Sequence, residues 1–184
     1  MSFHYASDGA AYGFGWMSID ELIRALGKYL KSYVICETHT ELQSARSVPF
    51  RVLFLRNHYI AIISCSDGLL YFDSLGADHL QRLIGFQPPH CNYLAYQAAE
   101  ATTCGAYISF VGALYSTFKR GCTVNTLLNK IDYYLCPDPV INEFNMNIFL
   151  ASQAIGEEFT NDERYVRTTR FVNLCNSLSN IDIE

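Results

Sequence analysis

Apolar positions along this chain fall into stretches whose period changes from helical to extended and back to helical. In SIDELIRALGKYL, which begins at Ser18, the residues Ile19, Leu22, Ile23 and Leu26 recur at helical spacing. Ser18 with Glu21 three residues later is a capping-box pattern, so a helix is predicted from about 19 to 31. VPFRVLFLR (48–56) and HYIAIIS (58–64) are β-branched and aromatic runs on either side of Asn57, the second either continuing the first strand or starting a new one. CSDG (65–68) carries a hairpin signal centred near Asp67-Gly68, and GLLYFDS (68–74) is the returning strand. HLQRLIGF (79–86) predicts a short helix stopped by Pro88-Pro89, and CNYLAYQ (91–97) predicts another strand.

The remainder is helical in pattern. Thr102 or Thr103 stands where it can cap a long apolar helix starting near Cys104 and ending at about Lys119. VNTLLNKIDYYL (124–135), a stretch from about 140 to 155, and the tail NDERYVRTTRFVNLCNSL (161–178) predict three more helices. The longest uncharged run, Ala101 to Phe118, contains three threonines and two serines and so predicts a buried helix rather than a membrane span. No repeat or low-complexity linker divides the chain, which predicts one domain over 1–184. The order of helix, hairpin strands and helices predicts an α+β fold: a central antiparallel (mixed) sheet flanked by helices.

Composition narrows the chemistry. Half of the 184 residues are hydrophobic and 14% are aromatic, enough for a substantial core. The net charge of -5 and the lack of a dense basic run argue against nucleic acid as a partner, and RTTR (167–170) fits a solvated helix face. The seven cysteines are odd in number and form neither CxxC nor zinc-finger spacing, so no metal and no cofactor is called for. MSFHYASDGA lacks the basic start and apolar run of a secretory signal, which favours free thiols in a reducing, intracellular compartment.

A cysteine nucleophile needs a base, an acceptor that orients the base, and donors for the oxyanion. Of the five histidines, His4, His39, His79 and His90 lie in terminal, polar, charged or proline-flanked settings. His58 instead opens an apolar strand, where a side chain is held rigidly while facing a cleft. The hairpin returns Asp73 beside it, and an acid between Phe72 and Ser74-Leu75 needs a partner. Cys104 falls in the first turn of a predicted helix, whose dipole favours a thiolate and whose free N–H groups suit an oxyanion. Gly105 leaves room for a substrate backbone, and Gln97 offers a side-chain donor.

His58, Asp73 within YFDSLG, Gln97 and Cys104-Gly105, in that chain order, resemble the adenovirus-type cysteine proteases (adenain). The same order marks the wider superfamily that includes the proteases of ubiquitin-like proteins, and it reverses that of papain. The resemblance covers mainly residues 50–120, and the seven-residue interval from Gln97 to Cys104 is like that of the adenovirus enzymes. It implies a papain-like site. Cys104 is then the nucleophile, His58 the general base and acid, and Asp73 the residue that orients the imidazole. Gln97 and the Cys104 N–H form the oxyanion hole. The residue after the histidine is commonly Trp in the family; here Tyr59 takes its place as an aromatic wall for substrate. DSLG is similar to proteases of large DNA transposons and related DNA viruses.

The implied activity is endopeptidase cleavage of viral precursor proteins during particle maturation, in the host nucleus or the virion. Family members use an activating peptide and DNA. The acidic charge argues against a DNA cofactor, whereas a peptide activator is compatible, with Cys91 near the position of the family's activator-linking cysteine but at a different spacing. Two other readings compete. One is an isopeptidase that removes ubiquitin-like modifiers with the same site. The other is a non-catalytic binding protein of the same fold, against which the intact set of four residues argues. The aromatic loop DGAAYGFGW (8–16) fits either a substrate-cleft lining or a core-packing role.

Overall fold

A computed structural model of the chain describes residues 17–155 and 169–179. The aromatic loop at 8–16 and the first half of the predicted tail helix, 161–168, lie outside these residues. The sequential elements are α1 (Ile19–Gly27), β1 (Tyr33–Cys36), α2 (His39–Ser44), β2 (Phe50–Leu55), β3 (His58–Cys65) and β4 (Gly68–Phe72). They are followed by α3 (Ala77–Ile84), α4 (Cys104–Ser116), α5 (Val124–Tyr134), α6 (Pro139–Ile155) and α7 (Thr169–Ser179).

The fold is α+β, with a four-stranded mixed sheet in the order β1-β2-β3-β4 flanked by helices. β1 pairs parallel to β2, and the two hairpin pairings that follow are antiparallel. β1 and α2 go beyond the sequence expectation: YVIC is too short to show a period, and HTELQS has a single apolar residue, Leu42, and no buried residue. α1 starts on the predicted capping box, with Ser18 and Glu21 bonded reciprocally, and ends four residues earlier than predicted at a Lys28 cap. The segment at 91–97 is not a strand. Apart from an isolated bridge between Tyr71 and Cys91 it is loop, because the N–H groups of Tyr96 and Gln97 both donate to the Ser74 carbonyl, at 2.8 and 2.9 Å, instead of to a ladder.

Two tight turns set the register. Leu55 lies opposite His58, so β2 and β3 are joined by the two residues Arg56 and Asn57. Both have positive φ, 50° and 58°, as the type I′ turn that matches strand twist requires. The second turn consists of Ser66 and Asp67, since Cys65 faces Gly68; it lies one residue earlier than the Asp-Gly pair suggested. The Asp67 carboxylate accepts the Val124 N–H at 2.8 Å, tying this turn to the start of α5.

Strand alternation sorts side chains into two cores. Phe50, Val52, Tyr59, Ala61, Ile63, Leu70 and Phe72 join one core with residues of α1, α4, α5, α6 and α7, and Leu53 and Ile60 join a smaller one with Leu80 of α3. α4 is buried on all sides from Cys104 to Leu114, as its uncharged sequence predicts, so it is the central helix of the larger core. No helix among the described residues is long and apolar enough to cross a membrane. The open ends of β3 and β4 and the N-terminus of α4 meet at one end of the sheet.

Candidate active site

His58 opens β3 directly after the Arg56-Asn57 turn, and Asp73 follows the last residue of β4. Ala61 pairs with Phe72, so the two side chains are offset along the hairpin rather than directly opposite. The His58 Nε2 nevertheless reaches Asp73 Oδ1 at 2.7 Å. A carboxylate can only accept there, so Nε2 carries the proton and Nδ1 is the ring nitrogen left to serve Cys104, which lines the same cleft.

The electrostatics follow from this double engagement. Burial works to lower the His58 pKa, but the hydrogen bond donated to Asp73, the neighbouring Cys104 sulfur and the charges of both groups outweigh it and push it up to about 9. Burial likewise works to raise Asp73. Hydrogen bonds from His58, His79 and the Leu75 N–H win, holding the carboxyl below its ordinary range. The site therefore favours a charged imidazolium between a carboxylate and a sulfur.

YFDSLG is a single structural device. The Asp73 backbone is clamped by Asn92, whose Oδ1 accepts the Asp73 N–H at 2.9 Å and whose Nδ2 donates to the Asp73 carbonyl at 2.7 Å. The Ser74 hydroxyl donates to Gln97 Oε1 at 2.6 Å. Gly76 has φ of 91°, and a Cβ there would stand 3.0 Å from the Ala95 nitrogen, so glycine is needed at this turn.

Gln97 Nε2 donates one hydrogen to the Ala101 carbonyl at 2.7 Å, which fixes the amide's orientation and leaves its second hydrogen for the cleft. A cleft of about 460 Å³ is lined by Asn57, His58, Leu75, Gln97, Ala101, Thr102 and Cys104. Three chain segments, 57–58, 75 and 97–104, thus bring His58, Gln97 and Cys104 to one opening, with Asp73 fully buried behind them.

Three local expectations change. Thr103 is the N-cap residue of α4 but makes no side-chain cap; its hydroxyl donates to Glu143 Oε2 at 2.7 Å. The side chain thus leaves the first N–H groups of α4 uncovered. Gly105 does not border the cleft: a Cβ there would lie 2.8 Å from Met17 Cβ, so the glycine admits Met17 rather than a substrate. Tyr59 is fully buried, packs on Phe54 at 4.7 Å between ring centroids, and donates to the Met17 carbonyl at 2.9 Å; it forms core behind Cys104, not a wall of the cleft.

Sequence reasoning also missed residues. His79, set aside for its charged surroundings, presents Nδ1 to Asp73 Oδ2 at 2.7 Å. Glu143 accepts from the Ala98 N–H at 3.0 Å and from Thr103, and lies 3.1 Å from the Tyr107 hydroxyl, so it binds α6 to the Gln97–Cys104 segment. An acid in the uncharged surroundings of VINEFNMNIF was the available signal, since a buried carboxylate needs donors.

His58, Asp73 and His79 offer three metal-ligating atoms close together. Ligands about 2.1 Å from a tetrahedral ion stand roughly 3.4 Å apart. Both N–O separations here are 2.7 Å, the length of a direct hydrogen bond, so the cluster as built is a proton-bonded network.

Compared with known proteins, the chain matches no family model and no curated sequence.

Proposed function

We propose that the protein is a cysteine endopeptidase with Cys104 as nucleophile. The observation that carries this reading is the convergence of Cys104, His58 and Gln97 on one cleft, with Asp73 bonded to the far side of the imidazole. The order His58, Asp73, Gln97, Cys104 and its resemblance to the adenovirus-type proteases support the same reading.

His58 Nδ1 holds the proton taken from the Cys104 thiol, and Asp73 stabilises the resulting imidazolium. The sulfur attacks the scissile carbonyl carbon, and the negative charge moves to its oxygen. The free hydrogen on Gln97 Nε2 and the Cys104 N–H receive that oxyanion. Collapse of the intermediate breaks the C–N bond as His58 returns the proton to the leaving amine. Water, deprotonated by His58, then attacks the thioester, and the acid product leaves with the thiol restored. Viral or transposon precursor polypeptides are the substrates the resemblance implies.

The test is cleavage of a panel of precursor-derived peptides set beside ubiquitin-like conjugates. Cys104→Ala is expected to abolish turnover with the fold intact, and Gln97→Ala to lower kcat by about 100-fold or more. Undiminished cleavage by Cys104→Ala would falsify the assignment. Turnover of conjugates alone would replace the endopeptidase with an isopeptidase.

A further inference from the structure

We propose that His79 is a positioning residue for the reaction: it fixes the plane of the Asp73 carboxylate so that Oδ1 stays aligned with the His58 Nε2–H. This rests on the peptidase reading of the site.

A carboxylate on a single methylene turns readily about its terminal bond, and one hydrogen bond does not define its plane. Asp73 has both oxygens engaged. Oδ1 receives His58 Nε2 at 2.7 Å and the Leu75 N–H at 2.9 Å, and Oδ2 receives His79 Nδ1 at 2.7 Å. The carboxylate is thus held from two sides by imidazoles. Asp73 is fully buried, so solvent is not at hand to replace a lost donor.

His79 is itself firmly placed. It lies in the first turn of α3, whose N-cap Gly76 donates its N–H to the Asp73 carbonyl at 2.9 Å. The turn that carries His79 is therefore built on the backbone of the residue it serves. The two imidazoles meet edge to face, with centroids 4.7 Å apart and planes at 69°. Side-chain exposure rises from 0% at Asp73 and 10% at His58 to 28% at His79, which makes His79 the outer shield of the network.

The experiment compares the full chain with His79→Leu, which removes the donor, and His79→Asn, whose amide nitrogen replaces Nδ1. Two readouts are used: the His58 ring proton and its titration by NMR, and kcat and KM on a cleaved peptide. For His79→Leu, the downfield Nε2–H signal of His58 is expected to weaken or vanish and its titration to fall below about 9. Its kcat is expected to drop by about 10- to 100-fold, the scale for losing a partner that orients a working histidine. KM should stay within about twofold, because ground-state binding is untouched. His79→Asn is expected to recover most of both losses. If His79→Leu does not fold, His79→Gln, whose amide falls beyond the Nδ1 position, takes its place with the same expected order. An unchanged His58 titration, a loss confined to KM or to stability, or an Asn variant no better than Leu would each overturn the proposal. The NMR arm needs no turnover, so failure of the peptidase reading is seen separately.

Discussion

Thr103 and Glu143, forty residues apart in sequence, are joined by a 2.7 Å hydrogen bond that turns the Thr103 hydroxyl away from the helix it precedes. Burial pushes the Glu143 pKa up, and the donors Thr103, Ala98 and Tyr107 only partly offset this. The consequence for the site is twofold. α6 grips the segment that holds both Gln97 and Cys104, and the N-terminus of α4 stays clear of a side-chain cap.

Glu143→Ala removes the acceptor of a buried N–H and of two buried hydroxyls. A loss of about 3 kcal/mol is expected, from urea midpoints, with a fall in kcat as the segment loosens. Thr103→Val breaks one of these contacts and costs about 1 kcal/mol. Equal midpoints for the two variants would show that Glu143 does not organise the segment.

His58 predicts the sign of a pH dependence. Its folded pKa, about 9, stands above its ordinary 6.5. Protonation therefore stabilises the fold fully below pH 6.5, and this contribution is lost as pH rises through about 9. Unfolding midpoints of wild type should fall relative to those of His58→Gln across that window, a difference that cancels other groups titrating there. The hydrogen bond and charge of Cys104 help hold the value up, so Cys104→Ala should lower the His58 titration seen by NMR. An upward shift would contradict the paired arrangement.

Gly105→Ala tests packing against access. The new methyl would meet Met17 Cβ at 2.8 Å and its Sδ at 3.2 Å. A loss of about 1–3 kcal/mol in stability is expected, with KM nearly unchanged, because the glycine does not line the cleft. A raised KM at unaltered Tm would restore the view that Gly105 makes room for substrate.

The sequence by itself determined the elements whose periodicity is long or whose boundary chemistry is local. α1 starts on its Ser18–Glu21 box, the hairpin follows from β-branched runs and turn residues, and α4 is apolar on every side. His58, Asp73, Gln97 and Cys104 were legible as candidates because chain order survives in sequence; the structure places His58, Gln97 and Cys104 on one cleft and bonds Asp73 to His58. Tertiary structure decided what depends on contacts between distant segments. The 91–97 segment alternates like a strand but gives its N–H groups to Ser74, and Tyr59 looks like a cleft wall but points into the core. His79 and Glu143 looked ordinary because nothing beside them in sequence reveals which buried groups they meet. A positive-φ turn at Gly76 brings the first to Asp73, and α6 packing brings the second to Thr103. Local physics selects periods, caps and turns. Partners for buried polar groups are chosen only when the chain closes on itself and water is no longer available to satisfy them.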